Sequence, residues 1–183
     1  MQWNKHHGDN VILFKTMRAD LTDPSKLLDY EKTSSFKYGA RWNSQGTGAL
    51  YFSSNVQNAM LELANYVDSP KMANASSVVA VYELSDTAML HEIVPSELSD
   101  DWNTYPYPAS LQLMGDGILG QPDIHGIIAP SIAINDDIAR SKVNAIRRSC
   151  YANVILDPTS EIIKSIRLID TMKPIYSGRM FGS

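Results

Sequence analysis

Five residues that together suit ligand chemistry fall close to one another in the first third of the chain. Arg41, Trp42 and Asn43 stand in the glycine-bounded loop GARWNSQG, Tyr51 in the apolar stretch that follows, and Glu62 further on. A guanidinium presents a planar fork of donors to oxyanions, and a carboxylate can steady a developing cation. On a helical wheel Glu62 falls at the edge of an apolar stripe, one turn from Ala59 on one side and Tyr66 on the other. A carboxylate there is half-sheltered beside a small residue, with room for a ligand. Each residue alone has a plainer reading. A lone arginine is usually a surface cation, a lone tryptophan core packing, a strand tyrosine half-buried with its hydroxyl bonded, and a stripe-edge glutamate solvated.

Other signatures carry less. Gly115-Asp-Gly-Ile-Leu-Gly120 matches the dinucleotide fingerprint G-x-G-x-x-G letter for letter. That fingerprint works only between a strand and a helix whose N-terminus meets the pyrophosphate. Pro122 follows closely and no amphipathic pattern succeeds it, so a turn-rich loop is expected. Neither a P-loop signature nor a G-x-S-x-G nucleophile elbow occurs. With no cysteine pair, no histidines at i and i+4, and His6-His7 at the N-terminus, no metal site is expected.

The elements that must hold the cluster can be read from pattern. Val11 to Met17 has the β-branched, apolar character of an opening strand, and Asp23 with Pro24 starts a short helix. Ser34 to Asn43 lacks periodicity and is expected to be a loop lying over a site. Gly48 to Ser54 reads as a strand running into a helix capped by Ser54 and Gln57, with Val56, Met60, Leu63 and Val67 as its buried stripe. Ser77 to Leu84 is the clearest strand, apolar on both faces and so expected to be central. Residues 99–110 read as irregular surface. His125 to Ile134, interrupted at Pro130, then Ala152 to Leu156 and Ser165 to Asp170 complete the strands, with a helix over Asp136 to Arg148. Strands outnumber helices without strict alternation, which predicts an α+β fold with a mostly antiparallel sheet and flanking helices.

Composition narrows the function classes. The 183 residues suit a single domain spanning 1–183, and 44% apolar with 20% charged residues is ordinary for a globular protein. A net charge of −4 argues against a nucleic-acid binder, which needs a cationic face. No apolar run is long enough to span a membrane, no secretory pattern opens the chain, and Cys150 has no internal partner. A cytoplasmic protein is the expectation.

The stretch GARWNSQGTGALYFSSNVQNAMLELANY resembles the opening signature of the RES domain family, named for Arg, Glu and Ser. Its members read G-x-R-W-N, a short glycine loop, a strand with tyrosine, then a helix of the form A-x-x-E. Further on, GIIAPSIAI resembles the family's V-P-S-A segment and supplies Ser131. ANVILDP resembles its N-x-x-x-N-P closing strand, with Asp157 where asparagine is usual. The resemblance runs from about Leu13 to Pro158.

It implies a fold similar to ADP-ribosyltransferases of the diphtheria-toxin type and an NAD+-consuming toxin paired with an Xre-like helix-turn-helix antitoxin. NAD+ glycohydrolase, phosphorylase and protein ADP-ribosyltransferase activities are all implied, with NAD+ as substrate and no separate cofactor. Larger toxin–antitoxin assemblies or a homo-oligomer are implied too. Carried over residue by residue, the resemblance makes Arg41, Tyr51, Glu62 and Ser131 catalytic, with Lys15, Trp42 and Asn43 on the dinucleotide. Two features depart from the family pattern. Lys15 stands where an arginine is usual and keeps the charge without the bidentate fork, and Arg18 falls on the opposite strand face. Extra length before Asn153 carries Arg140, Lys142, Arg147 and Arg148, read as a solvated helix face rather than a docking surface. The competing reading is a non-catalytic nucleotide- or protein-binding module that keeps the fold.

Overall fold

Branched and aromatic side chains dominate seven extended runs: β1 (Val11–Arg18), β2 (Leu50–Ser53), β3 (Ser77–Leu84), β4 (Leu90–Glu92), β5 (Gly126–Pro130), β6 (Ala152–Leu156) and β7 (Arg167–Met172). The computed structural model describes residues 10–67, 69–133 and 152–178. The strands form one sheet in the order β4-β5-β6-β2-β1-β3-β7, antiparallel throughout except where β4 meets β5. With helices flanking it, this is the α+β, mostly antiparallel architecture expected from the sequence.

Pairing is uneven across the sheet. β1 and β3 run together over eight residue pairs, from Val11↔Leu84 to Arg18↔Ser77. β1 meets β2 only at Phe14↔Ser53. The sheet therefore has a seam, with β4, β5, β6 and β2 on one side and β1, β3 and β7 on the other.

Alternation divides the apolar side chains into two cores. Leu13, Phe52, Ala80, Tyr82, Val154 and Leu156 pack on one face. Trp42, Leu111, Ile127, Ala129 and Ile155, with Tyr51 against them, pack on the other. Each such side chain contributes about 1.5–3 kcal/mol by leaving water.

Five helices complete the described residues: α1 (Pro24–Leu27), α2 (Ser34–Tyr38), α3 (Val56–Ala64), α4 (Pro70–Ser76) and α5 (Ala109–Leu119). Asp23 caps α1 as expected, its side chain accepting from the Ser25 N–H. Elsewhere local signals outweighed weak periodicity. The stretch expected to be a loop from Ser34 opens as α2, because the Thr33 side chain accepts from Phe36 N–H and Gly39, at φ +76°, stops the helix. The cap of α3 is Asn55, bonded to Asn58 N–H, rather than Ser54, whose hydroxyl instead accepts from Ala152 N–H at 3.1 Å. Its fully buried residues are Asn58 and Ala59, while Val56, Met60 and Leu63 are half-buried. The helix thus rolls a polar side chain onto the sheet. Helix α4, capped by Ser69 with a proline in its first turn, and the short β4 were not anticipated.

The glycine fingerprint is not a loop. Gly115 to Leu119 close α5, whose Leu111, Ile118 and Leu119 are buried. A Cβ on Gly115 would lie 2.0 Å from the Trp42 carbonyl oxygen, so the glycine exists to let α5 touch the backbone of the Arg41–Asn43 turn. Ser165 and Ile166 precede β7 rather than belonging to it. The expected helix over Asp136 to Arg148, with Arg140, Lys142, Arg147 and Arg148, lies outside the described residues, as do His6, His7 and Cys150. Arg18 is exposed and pairs with Asp20. Among the described residues no helix is long and apolar enough to cross a membrane.

Candidate functional site

Ser53 and Asn153 pair across β2 and β6, so their side chains leave the same face of the sheet. Helix α3 lies over that face, and Asn58, fully buried, donates to Ser53 Oγ at 3.1 Å and to Asn153 Oδ1 at 3.0 Å. Asn153 is thereby turned to donate its own amide to Glu62 Oε1 at 2.8 Å. Ser131, which follows Pro130 at the end of β5 and is 1% exposed, donates to the same oxygen at 2.7 Å. Its hydroxyl also accepts from Ala133 N–H at 3.0 Å, which fixes its rotor. One carboxylate oxygen thus takes two neutral donors, and Oε2 takes none among the described residues.

Arg41 is built differently. It lies in the turn between α2 and β2 and is 7% exposed. Its Nη1 donates to the Trp102 carbonyl and to the Thr104 carbonyl at 3.1 Å, and its guanidinium sits 4.8 Å from the centre of the Tyr107 ring. Nη2 is buried with no hydrogen-bond partner among the described residues. Burial pulls the guanidinium below its ordinary pKa, while Tyr107, Glu62, Tyr66 and Tyr51 act electrostatically in the opposite sense. No carboxylate among the described residues forms an ion pair with it: two uncharged carbonyls hold it directly, and Glu62 acts on it only through space.

Tyr51 locks the turn that carries Arg41. Its hydroxyl donates to Asn43 Oδ1 at 2.7 Å and accepts from Trp42 N–H at 3.2 Å. Burial raises its pKa well above the usual phenol value, so it remains a protonated donor. Asn43, fully buried, spends its amide on the carbonyls of Ser35, Ser44 and Thr47. Trp42, also fully buried, belongs to the apolar core. Neither has surface to offer a ligand, so the expectation that both touch the dinucleotide is corrected: they build the loop instead.

Lys15 is not brought to the cluster either. It shares a strand face with Leu13, and its ammonium lies 5.4 Å from the centre of the Phe52 ring, on the side of the sheet opposite Ser53 and Asn153. Its Nζ donates to the Tyr51 carbonyl across the seam at 2.5 Å. Burial brings its pKa down to about 8. The structure therefore joins Ser131 to Glu62 by a hydrogen bond, keeps Arg41 within electrostatic reach of Glu62 and Tyr51, and leaves Lys15 as a strut between β1 and β2.

Sequence reasoning missed Asn58, Asn153, Tyr66 and Tyr107. Asn153 lay within a quoted motif, but only strand register reveals that it faces Glu62. Asn58 was the polar residue inside an expected apolar helix, a signal in hindsight. Tyr107 follows two residues after Tyr105 in a proline-bracketed stretch that has no periodicity to read.

Fold and site together define a class: an α+β domain that carries a steadied carboxylate and a buried guanidinium held by two backbone carbonyls. The chain belongs to the RES domain family, whose profile matches residues 6–156. It is 31% identical over 98 residues to the protein named Toxin Res from Yersinia enterocolitica serotype O:8 / biotype 1B, covering 53% of this chain and 62% of that one. The match thus spans less than two thirds of that relative's length. The crystal structure of the M. tuberculosis MbcT–MbcA toxin–antitoxin complex contains a similar chain, with a TM-score of 0.56 at 12% identity over 90% of this chain and 84% of that one. That likeness is one of fold.

Proposed function

We propose that the chain cleaves NAD+ at the bond between nicotinamide and ribose. The observation that carries this reading is the Glu62 carboxylate, held by Ser131 and Asn153 through one oxygen, with no donor to the other among the described residues, and electrostatically linked to Arg41. As the C1′–N1 bond breaks, its electron pair passes to the pyridinium nitrogen and positive charge develops on the ribose, as in glycoside cleavage. Glu62 Oε2 accepts from a ribose hydroxyl and stabilises that cation, while Oε1 cannot turn away from its two donors. Arg41 takes the pyrophosphate on Nη2. Ser131 is a donor to Glu62 rather than a nucleophile, its proton being committed to the carboxylate.

An acceptor then attacks C1′ and releases a proton. Water, phosphate and a protein side chain are the three candidates. The test is NAD+ loss by the purified chain with and without phosphate, with products separated by chromatography. Nicotinamide with ADP-ribose identifies a hydrolase, and nicotinamide with phosphorylated ADP-ribose a phosphorylase. Absence of loss in both buffers, and with candidate protein acceptors added, would favour a binding module that retains the fold.

The same reading makes the chain the toxin of a two-protein system. One relative is named a toxin, and the structural neighbour comes from a toxin–antitoxin complex. A partner, Xre-like by the family resemblance, is expected to insert a segment over Glu62 and Arg41. An NAD+ cleavage rate indifferent to the neighbouring gene product would reject that blockade.

A further inference from the structure

The stretch between β4 and α5 enters none of the family motifs, yet among the described residues it supplies the hydrogen bonds and the ring contact that hold the Arg41 side chain. Carbonyls of Trp102 and Thr104 take Nη1, and the Tyr107 ring covers the guanidinium face. Trp102, 7% exposed and packed in the core with Trp42, anchors the stretch from below. Tyr105 stands edge-on to Tyr107 with centroids 5.3 Å apart, and the Tyr107 hydroxyl is bonded to that of Tyr66, just past the end of α3. Arg41 is thus held on one edge and one face, and what remains is the buried, unpartnered Nη2. A buried donor left unpartnered is costly, and an anion that reaches Nη2 removes that cost.

We propose that Tyr107, with the Trp102 and Thr104 carbonyls, forms a clamp that holds the unpartnered Nη2 of Arg41 as the seat of the substrate's pyrophosphate. Tyr107 is a positioning residue: it touches Arg41, not the reacting bond. Tyr66 ties the clamp to the helix that carries Glu62, so the anion seat and the carboxylate keep a fixed separation. The clamp rests on the NAD+ reading only for the identity of its natural anion. The general requirement is a diphosphate.

The test is calorimetric titration of the purified full chain with inorganic pyrophosphate, and separately with neutral nicotinamide. Tyr107→Leu removes the ring face and should weaken pyrophosphate binding about tenfold, the size of a sheltered cation–π contact. Tyr107→Phe keeps the face and should stay within about threefold, the cost of one hydroxyl bond. Nicotinamide affinity should be the same in all three proteins. A general loosening of the site would weaken both ligands, so equal losses for pyrophosphate and nicotinamide would overturn the clamp. So would a wild type that does not bind pyrophosphate, or a Tyr107→Leu variant that binds it as tightly. If thermal melting shows Tyr107→Leu unfolded, Tyr107→His takes its place, with a loss of about threefold expected for a smaller ring. Pyrophosphate binding that depends on Tyr107 in a chain unable to cleave NAD+ would sink the proposed function and keep the clamp. Cleavage with Tyr107-independent binding would do the reverse.

Discussion

Glu62 carries its two oxygens into different surroundings, and that asymmetry is the main chemical fact at the residue scale. Glu62→Gln keeps an oxygen for Ser131 and Asn153 to bond but removes the negative charge. NAD+ loss should fall by at least about a hundredfold, the usual effect of losing a preorganised electrostatic group, with the thermal midpoint almost unmoved. Full turnover in that variant would end the assignment. Lys15 makes a prediction of the opposite kind, about stability. Its pKa falls from 10.5 in the unfolded chain to about 8 in the fold. Between those values the unfolded chain binds the extra proton, so stability contributed by this site rises with pH across the window and is lowest below it. Urea melts at pH 7 and pH 9.5 should show the wild type gaining on Lys15→Met as pH rises. Parallel pH dependences would mean that the ammonium is solvated.

Elements, in turn, differ in how far the sequence reveals them. Asp23 and Pro24 announced α1 because a cap and its helix are neighbours in sequence. The strands β1, β3 and β6 were legible because their apolar character suits a pleated surface packed on both faces. Helix α5 was concealed by its glycines, of which Gly115 serves contact with another segment rather than a turn. That contact separates two glycines of one helix. Gly115→Ala puts a methyl against the Trp42 carbonyl and should cost about 3 kcal/mol or more, because backbone must move. Gly117 has open space where its Cβ would be, so Gly117→Ala should stabilise by about 0.5–1 kcal/mol through helix propensity. Chemical denaturation of both variants is the check, and equal effects would refute the close packing. For the site, Arg41, Tyr51 and Glu62 could be picked out by type and spacing. Their partners could not: Asn153 reaches Glu62 through strand register, and Tyr107 reaches Arg41 through a loop with no local pattern.

At the level of the whole molecule the seam between β1 and β2 dominates. Within the sheet a single residue pair and the Lys15 strut bridge it, with α3 packed over both strands, against eight pairs between β1 and β3. Backbone amides of Phe14 and Tyr51–Ser53 should therefore exchange with solvent faster than those in the middle of β3. Ligand at about a hundred times its Kd adds about 2.7 kcal/mol to any opening that releases it. ADP-ribose should accordingly slow exchange along β2 and α3 by up to about a hundredfold and leave β7 nearly unchanged. Uniform slowing across the sheet would show that the two halves do not move separately.

The holders of Glu62 lie late in the chain, Ser131 by 69 residues and Asn153 by 91. A ribosome adding about 5–20 residues per second therefore needs roughly 5–20 s after making the carboxylate before it makes the last side chain that steadies it. Throughout that interval the nascent polypeptide carries its acid without its aim. The site is complete only once Asn153 has been made, and a message cut short before it yields a chain whose carboxylate lacks one of its two donors.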